Sequence, residues 1–169
     1  MKKIGIALLA VMSVMCGCYA SDGLKKRASA LKSFRTMLES IRLMVRYEAL
    51  EVSDIVRRLS DDGALRGLDF ICLLKSYMDE DNVTPFSKLW SKAADNGCES
   101  FNEEDMELIK RTGNVLGSCD CEGQLSALSS IMAQADRLIA EADEQYKSKG
   151  RLYRSLGAAA GALIAVVII

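Results

Sequence analysis

The sequence predicts an all-α chain: a helical bundle of about six helices between an N-terminal and a C-terminal membrane helix. Three observations predict it. There is one proline, Pro85, in 169 residues, and aromatics make up only 6%, so little interrupts helices that Leu, Ala, Lys and Glu favour. Apolar residues recur at steps of three and four over two long stretches, and no stretch alternates with period two far enough to be a strand. Both ends are uncharged apolar runs, Ile4 to Ser21 and everything after Arg154.

The first segment, residues 1–23, opens with Lys2 and Lys3 and then carries no charge for 18 residues. As a helix that run rises about 27 Å, close to the thickness of a bilayer core. A cleaved signal peptide ending at Cys18-Tyr19-Ala20, or a lipoprotein signal acylated at Cys18, is the competing expectation.

The last segment, residues 154–169, is shorter. Leu156 to Ile169 is 14 residues, about 21 Å of helix. Leu152 and Tyr153 lengthen it, with the Arg154 side chain reaching to the interface and local bilayer thinning absorbing the rest. Gly157 and Gly161 form a GxxxG pair, followed by Ala165. Small residues at that spacing let two membrane helices approach closely, and Gly5, Ala10, Ser13 and Gly17 supply small residues in the first segment. The paired runs favour two membrane helices over one cleaved leader.

Charge is sorted along the chain. Lys25, Lys26, Arg27, Lys32 and Arg35 follow the first run with no acid until Glu39, and Lys147, Lys149, Arg151 and Arg154 precede the second with no acid after Glu144. Between Thr36 and Tyr146 stand 22 acids and 11 bases. Bases flanking membrane segments mark the cytoplasmic side and meet anionic headgroups there. The expectation is a membrane-bound protein with residues 24–153 as a cytoplasmic helical domain and both termini outside.

That domain opens with a stripe of Leu24, Ala28, Leu31, Phe34, Leu38, Ile41 and Val45, predicting a helix to about Ala49. It closes with Leu125, Leu128, Met132, Ala135, Ile139, Ala142 and Tyr146, a 3-4 alternation expected of a coiled-coil-like seam. Between them Ser53 is placed as the cap of a helix running to Leu59. A second helix is expected over about Leu65–Met78, ended by "DEDN". Thr84-Pro85 starts a third, with Thr84 as cap and Pro85 in the first helical position, and its face carries Phe86, Leu89 and Trp90. "NEEDMELIKRTGNVLG" starts with Asn102 as cap and three acids against the helix dipole, and ends at Gly117.

The chemistry-bearing residues are few. There is no histidine among the 169 residues, which removes the commonest general acid-base group and the commonest metal ligand. Six cysteines are present. Cys16 and Cys18 lie in the first apolar run, and Cys72 and Cys98 fall in helical patterns as ordinary thiols. Cys119 and Cys121 form C-x-C, which serves a thiol-redox site or half a metal site; the second half is missing. No catalytic residue, metal site or cofactor is expected, and neither nucleic acid nor a small-molecule substrate.

"LGSCDCEGQ" fits L-G-x-x-D-x-x-x-Q. Before it "FNEEDMELIKRTGNVLG" carries the acid pair and G-x-x-L-G, and the chain finishes "YRSLGAAAGALIAVVII". In these features the sequence resembles the stage III sporulation protein AB family of endospore-forming bacteria, over nearly the whole chain and most strongly from Phe101 to Ile169. Val45-Arg46-Tyr47 departs from the family where an acid is expected before the tyrosine, and Cys119 and Cys121 occupy variable motif positions.

The resemblance implies a mother-cell membrane protein of the engulfment stage, a component of the trans-envelope complex joining mother cell and forespore. It implies a soluble part similar to the F-type domains of type II secretion inner-membrane platform proteins. The function implied is a non-enzymatic scaffold that meets other sporulation subunits, including a secretion-type ATPase. An exported or lipid-anchored helical protein, and a thiol-redox protein using the C-x-C pair, are the alternatives. Of the motif residues, Leu116 and Gly117 are expected to end one helix, Asp120 to cap the next, and Gln124 to lie in its first turn. They form either a plain helix-turn-helix joint or a partner-contact corner.

Overall fold

The computed structural model of the chain describes residues 2–48, 50–65, 67–81, 83–116 and 121–168, and only the backbone at 2–11, 13–14, 154, 157–158 and 161–168. Six α-helices account for nearly all of it: α1 (Lys2–Leu43), α2 (Val52–Asp61), α3 (Asp69–Glu80), α4 (Phe86–Gly97), α5 (Glu103–Val115) and α6 (Cys121–Ile168). A π-helical turn, Met44–Glu48, continues α1, and a 3-10 turn, Gly63–Leu65, precedes α3. The described residues contain no strand. Among them no helix is long and apolar enough to cross a membrane; most of the two terminal apolar runs lies where only the backbone is described.

The chain divides into two compact units, Met1–Ala28 with Ala140–Ile169, and Ser29–Ile139. In the second, the core gathers Leu31, Phe34, Met37, Leu38 and Ile41 of α1 with Leu128, Ile131 and Ala135 of α6, all buried. Phe70 of α3, Trp90 of α4 and Ile109 of α5 complete it. Phe70 meets Trp90 edge-on, with ring centroids 5.4 Å apart, the arrangement aromatic quadrupoles favour. Helix α2 packs on α3, α3 on α4 and α4 on α5.

The stripes read from the sequence are the buried faces, but wider. On α1, Ala30 and Met37 are buried besides the stripe residues from Ala28 onward, whereas Leu24 is half-buried; on α6, Ile131 and Leu138 are buried, whereas Leu125, Ile139 and Tyr146 are half-exposed. A two-helix seam needs only the a and d positions; a helix that packs against several neighbours buries a broader arc. The α6 pattern is therefore a bundle face, not a coiled-coil seam.

Helix boundaries differ where local polar groups compete. Ser53 lies inside the first turn of α2; Glu51 is the cap, and its carbonyl accepts the amides of Asp54 and Ile55 at 3.0 and 3.1 Å. The expected Leu65–Met78 helix is two pieces, because Leu68 adopts φ −118°, ψ 73° and α3 begins only at Asp69. Thr84 is not the cap of α4. Its hydroxyl donates to Asp81 Oδ2 at 2.7 Å, while Asp81 Oδ1 accepts the amides of Val83 and Thr84 at 2.9 and 3.0 Å. Pro85 is left as the cap and Phe86 as the first helical residue, one place later than expected. The first helix gives way to the π-helical turn at Met44 instead of reaching Ala49, which lies outside the described residues.

The start of α5 follows its sequence. Asn102 Oδ1 accepts the Asp105 amide at 2.8 Å and Asp105 Oδ2 accepts the Asn102 amide at 3.0 Å, a reciprocal capping box that satisfies two otherwise orphaned donors. The helix ends at Val115, with Leu116 extended and buried, two residues before the expected Gly117.

Candidate functional site

In the unit of Met1–Ala28 and Ala140–Ile169, α1 and α6 pack antiparallel. Two contacts set their register. Arg27 Nη1 donates to Gln145 Oε1 at 3.4 Å. Six residues earlier on α1, Ser21 is buried, and a Cβ added at Gly150 would stand 3.0 Å from its Oγ and 3.2 Å from the Tyr146 ring. Gly150 therefore lets the two backbones come close, as small residues do at tight helix crossings. Gly150 carries no signal in the sequence, because a lone Gly in a basic segment, "KSKGR", has no apolar periodicity.

Carried along both helices, this register sets Tyr19 level with Leu152 and Tyr153. All three are exposed, as are Met15 and Leu156 just beyond them. On the other side of that level stand Lys25 and Lys26 of α1 and Lys147 and Lys149 of α6, with Arg151 beside the tyrosines; all are exposed. Arg27 differs from them, being half-buried and held by Gln145. At Arg154, Gly157 and Gly161 only the backbone is described. The arrangement is a band of exposed bases with one acid, Asp22, among them, then tyrosines, then apolar side chains. It is the order of groups met on passing from water through headgroups into hydrocarbon.

The motif corner belongs to the other unit. Leu116 is buried, Gln124 is half-buried in the first turn of α6, and Gly117 and Asp120 lie outside the described residues. Cys121, the first residue of α6, points its Sγ at the Val45 carbonyl oxygen, 3.6 Å away. This joins the start of α6 to the π-helical end of α1. Leu43 and Tyr47 are exposed beside it, and the Arg46 guanidinium lies 5.5 Å from the Tyr47 ring centroid. Cys119 lies outside the described residues; the Cys121 thiol is engaged by backbone and not by a second described thiol.

The motif glycine Gly113 has a structural task. A Cβ there would fall 2.3 Å from Trp90 Cγ, and the indole Nε1 donates to the Ile109 carbonyl at 2.7 Å. Charged groups in this unit mostly bridge elements. Arg35 Nε holds Asp136 of α6 at 3.0 Å, and Arg137 pairs with Glu104 of α5. Hydrogen bonding to Arg42, aided by Arg35, keeps the Glu39 carboxyl below its usual range. Among the described residues no group of three or more Cys, Asp or Glu side chains could hold a metal ion.

No curated protein and no solved structure matches this chain. The sequence profile described as Stage III sporulation protein AB matches residues 2–169. A match over that length, with its G-x-x-L-G motif meeting Trp90 in the core, shows that the chain belongs to the stage III sporulation protein AB family.

Proposed function

We propose that this stage III sporulation protein is a non-enzymatic membrane scaffold, held by its two apolar ends and presenting Ser29–Ile139 to partners in the cytoplasm. The observation that carries the reading is the level of exposed Tyr19 and Tyr153 between exposed bases and exposed apolar side chains. Paired antiparallel, the apolar runs of α1 and α6 also cover the same span, so the short tail is matched by its neighbour. Thinning of the bilayer or tilt accommodates two such helices at modest cost.

On this reading the membrane is that of the mother cell facing the forespore. The partners are other subunits of the trans-envelope complex, a secretion-type ATPase among them. The acidic character of the helical unit and the exposed corner at Leu43 and Tyr47 support docking of a protein and not catalysis.

Thiol labelling in sporulating cells tests the topology. An impermeant maleimide is expected to spare Cys72 and Cys121 until cells are permeabilised. Labelling of either from outside overturns the cytoplasmic placement, and a mature chain starting at Cys18 or Ser21 by mass spectrometry overturns the two-span reading. Crosslinking followed by pull-down is expected to recover the ATPase; its absence alongside recovery of other complex subunits overturns that partnership.

A further inference from the structure

Where α3 begins and α4 ends, the helical unit holds a cavity of about 460 Å³. The two elements meet tightly there: a Cβ added at Gly97 would lie 2.6 Å from Phe70 Cα and 2.7 Å from its amide nitrogen. The turn after α4, Cys98 to Phe101, forms one wall, closed by the Phe101 amide donating to the Cys98 carbonyl at 3.2 Å. Asp69, Cys72, Leu73, Glu99 and Phe101 are among the lining residues.

Its electrostatics are one-sided. Among the described lining residues there are two carboxylates, Asp69 and Glu99, and no lysine or arginine. Neither carboxylate is in an ion pair with a described residue, although Asp54, Asp61, Asp95, Glu104 and Asp136 all are. Asp69 complements the positive start of α3, but α4 brings its negative C-terminal end to the same place. Cys98 lines the same cavity. Burial pushes its thiol up to about 12, and the charges of Asp95 and Asp69 add to the effect.

We propose that this cavity receives an arginine side chain of a partner protein. Asp69 and Glu99 meet the guanidinium, and Leu73 and Phe101 flank its methylenes and its plane. Arginine suits the site better than lysine, because its planar, weakly hydrated head both stacks on an aromatic ring and bonds to more than one acceptor. A protein side chain suits it better than a small metabolite, because small-ligand sites enclose most of the ligand's surface and this cleft is open to solvent on one side. Within the sequence the surrounding segment carries 22 acids against 11 bases, so a basic partner is favoured at long range as well.

The inference rests on the reading that the helical unit docks a protein, and its test isolates the cavity from that reading. The probe is N-acetylarginine amide, with N-acetylcitrulline amide as the neutral isostere and N-acetyllysine amide as the compact cation. The protein is the full chain in detergent, with Cys16, Cys18, Cys119 and Cys121 changed to Ser, at constant ionic strength. The measurement is the alkylation rate of Cys72, which is exposed and lines the cavity.

Arginine amide is expected to slow alkylation several-fold, lysine amide less, and citrulline amide not at all. Asp69→Asn with Glu99→Gln is expected to remove the protection; Glu99→Gln alone, on an exposed turn, guards against a folding defect in the pair. Equal slowing by citrulline or lysine, protection that survives both substitutions, or no slowing at millimolar probe overturns the proposal. Failure here leaves the labelling topology and the pull-down untouched.

Discussion

Trp90 lies against the backbone of Gly113, so close that a methyl group on that glycine would sit 2.3 Å from Trp90 Cγ. The indole is 1% exposed and donates to the Ile109 carbonyl one turn earlier on α5. One glycine thus determines how near α4 can come to α5, and one nitrogen fixes the rotation between them.

Gly113→Ala should destabilise the fold by roughly 1–3 kcal/mol, the usual cost of overpacking a filled core. Trp90→Phe should cost about 1–2 kcal/mol through the lost hydrogen bond and a small void. Gly113→Ala should stay costly in the Trp90→Phe background, because phenylalanine keeps the Cβ, Cγ and Cδ1 atoms that the methyl would meet. Urea unfolding followed by circular dichroism reads all three variants; a Gly113→Ala variant that unfolds like the parent would contradict the contact.

Asn102→Ala should remove one half of the capping box and cost about 1 kcal/mol. Asn102→Asp should cost much less, because a carboxylate also accepts the Asp105 amide, although it then faces the Asp105 charge. Thermal melts of the two variants should rank in that order.

Gly150→Leu should drive α1 from α6, because Ser21 Oγ and the Tyr146 ring already stand 3.0 and 3.2 Å from where its Cβ would begin. A loss of roughly 1–3 kcal/mol is expected, and Gly150→Ala should be far milder, since the Ser21 hydroxyl can rotate aside. If both variants melt like the parent in detergent, the Ser21–Gly150 crossing is wrong.

Cys98 should be the slowest of the described thiols to alkylate at neutral pH, and Cys72 fast, because only the thiolate reacts and Cys98 is both buried and held protonated. The same group sets an alkaline limit. Its folded pKa, about 12, lies above the ordinary 9.0, so the unfolded thiol ionises first. Its contribution is complete below about pH 9 and is lost as pH rises towards 12. Cys98→Ala should flatten the stability profile in that window.

Glu39 acts at the opposite end. Arg42 and Arg35 hold its folded pKa below the ordinary 4.5, so its contribution is present above about pH 4.5 and lost as pH falls through the lower folded value. Glu39→Gln should remove that acid dependence. Its effect should shrink in high salt, because the pair is partly exposed.

The sequence by itself determined the class, the two long helices, the faces that are buried and the start of α5. Those follow from local physics: a 3.6-residue period shows in the apolar spacing, and a capping box lies within four residues. It also carried the family, through the spacing of Gly113, Leu116 and Gly117 and of Asp120 and Gln124. Tertiary structure alone decided the rest. Gly113 is needed because Trp90, 23 positions earlier, happens to lie on it. Gly150 matters because Ser21 comes from the far end of the chain. The breaks at Leu68 and Thr84 depend on which polar group wins a hydrogen bond, and the cavity between α3 and α4 exists only once Gly97 has met Phe70. Each joins residues distant in sequence, where periodicity carries no information and packing decides.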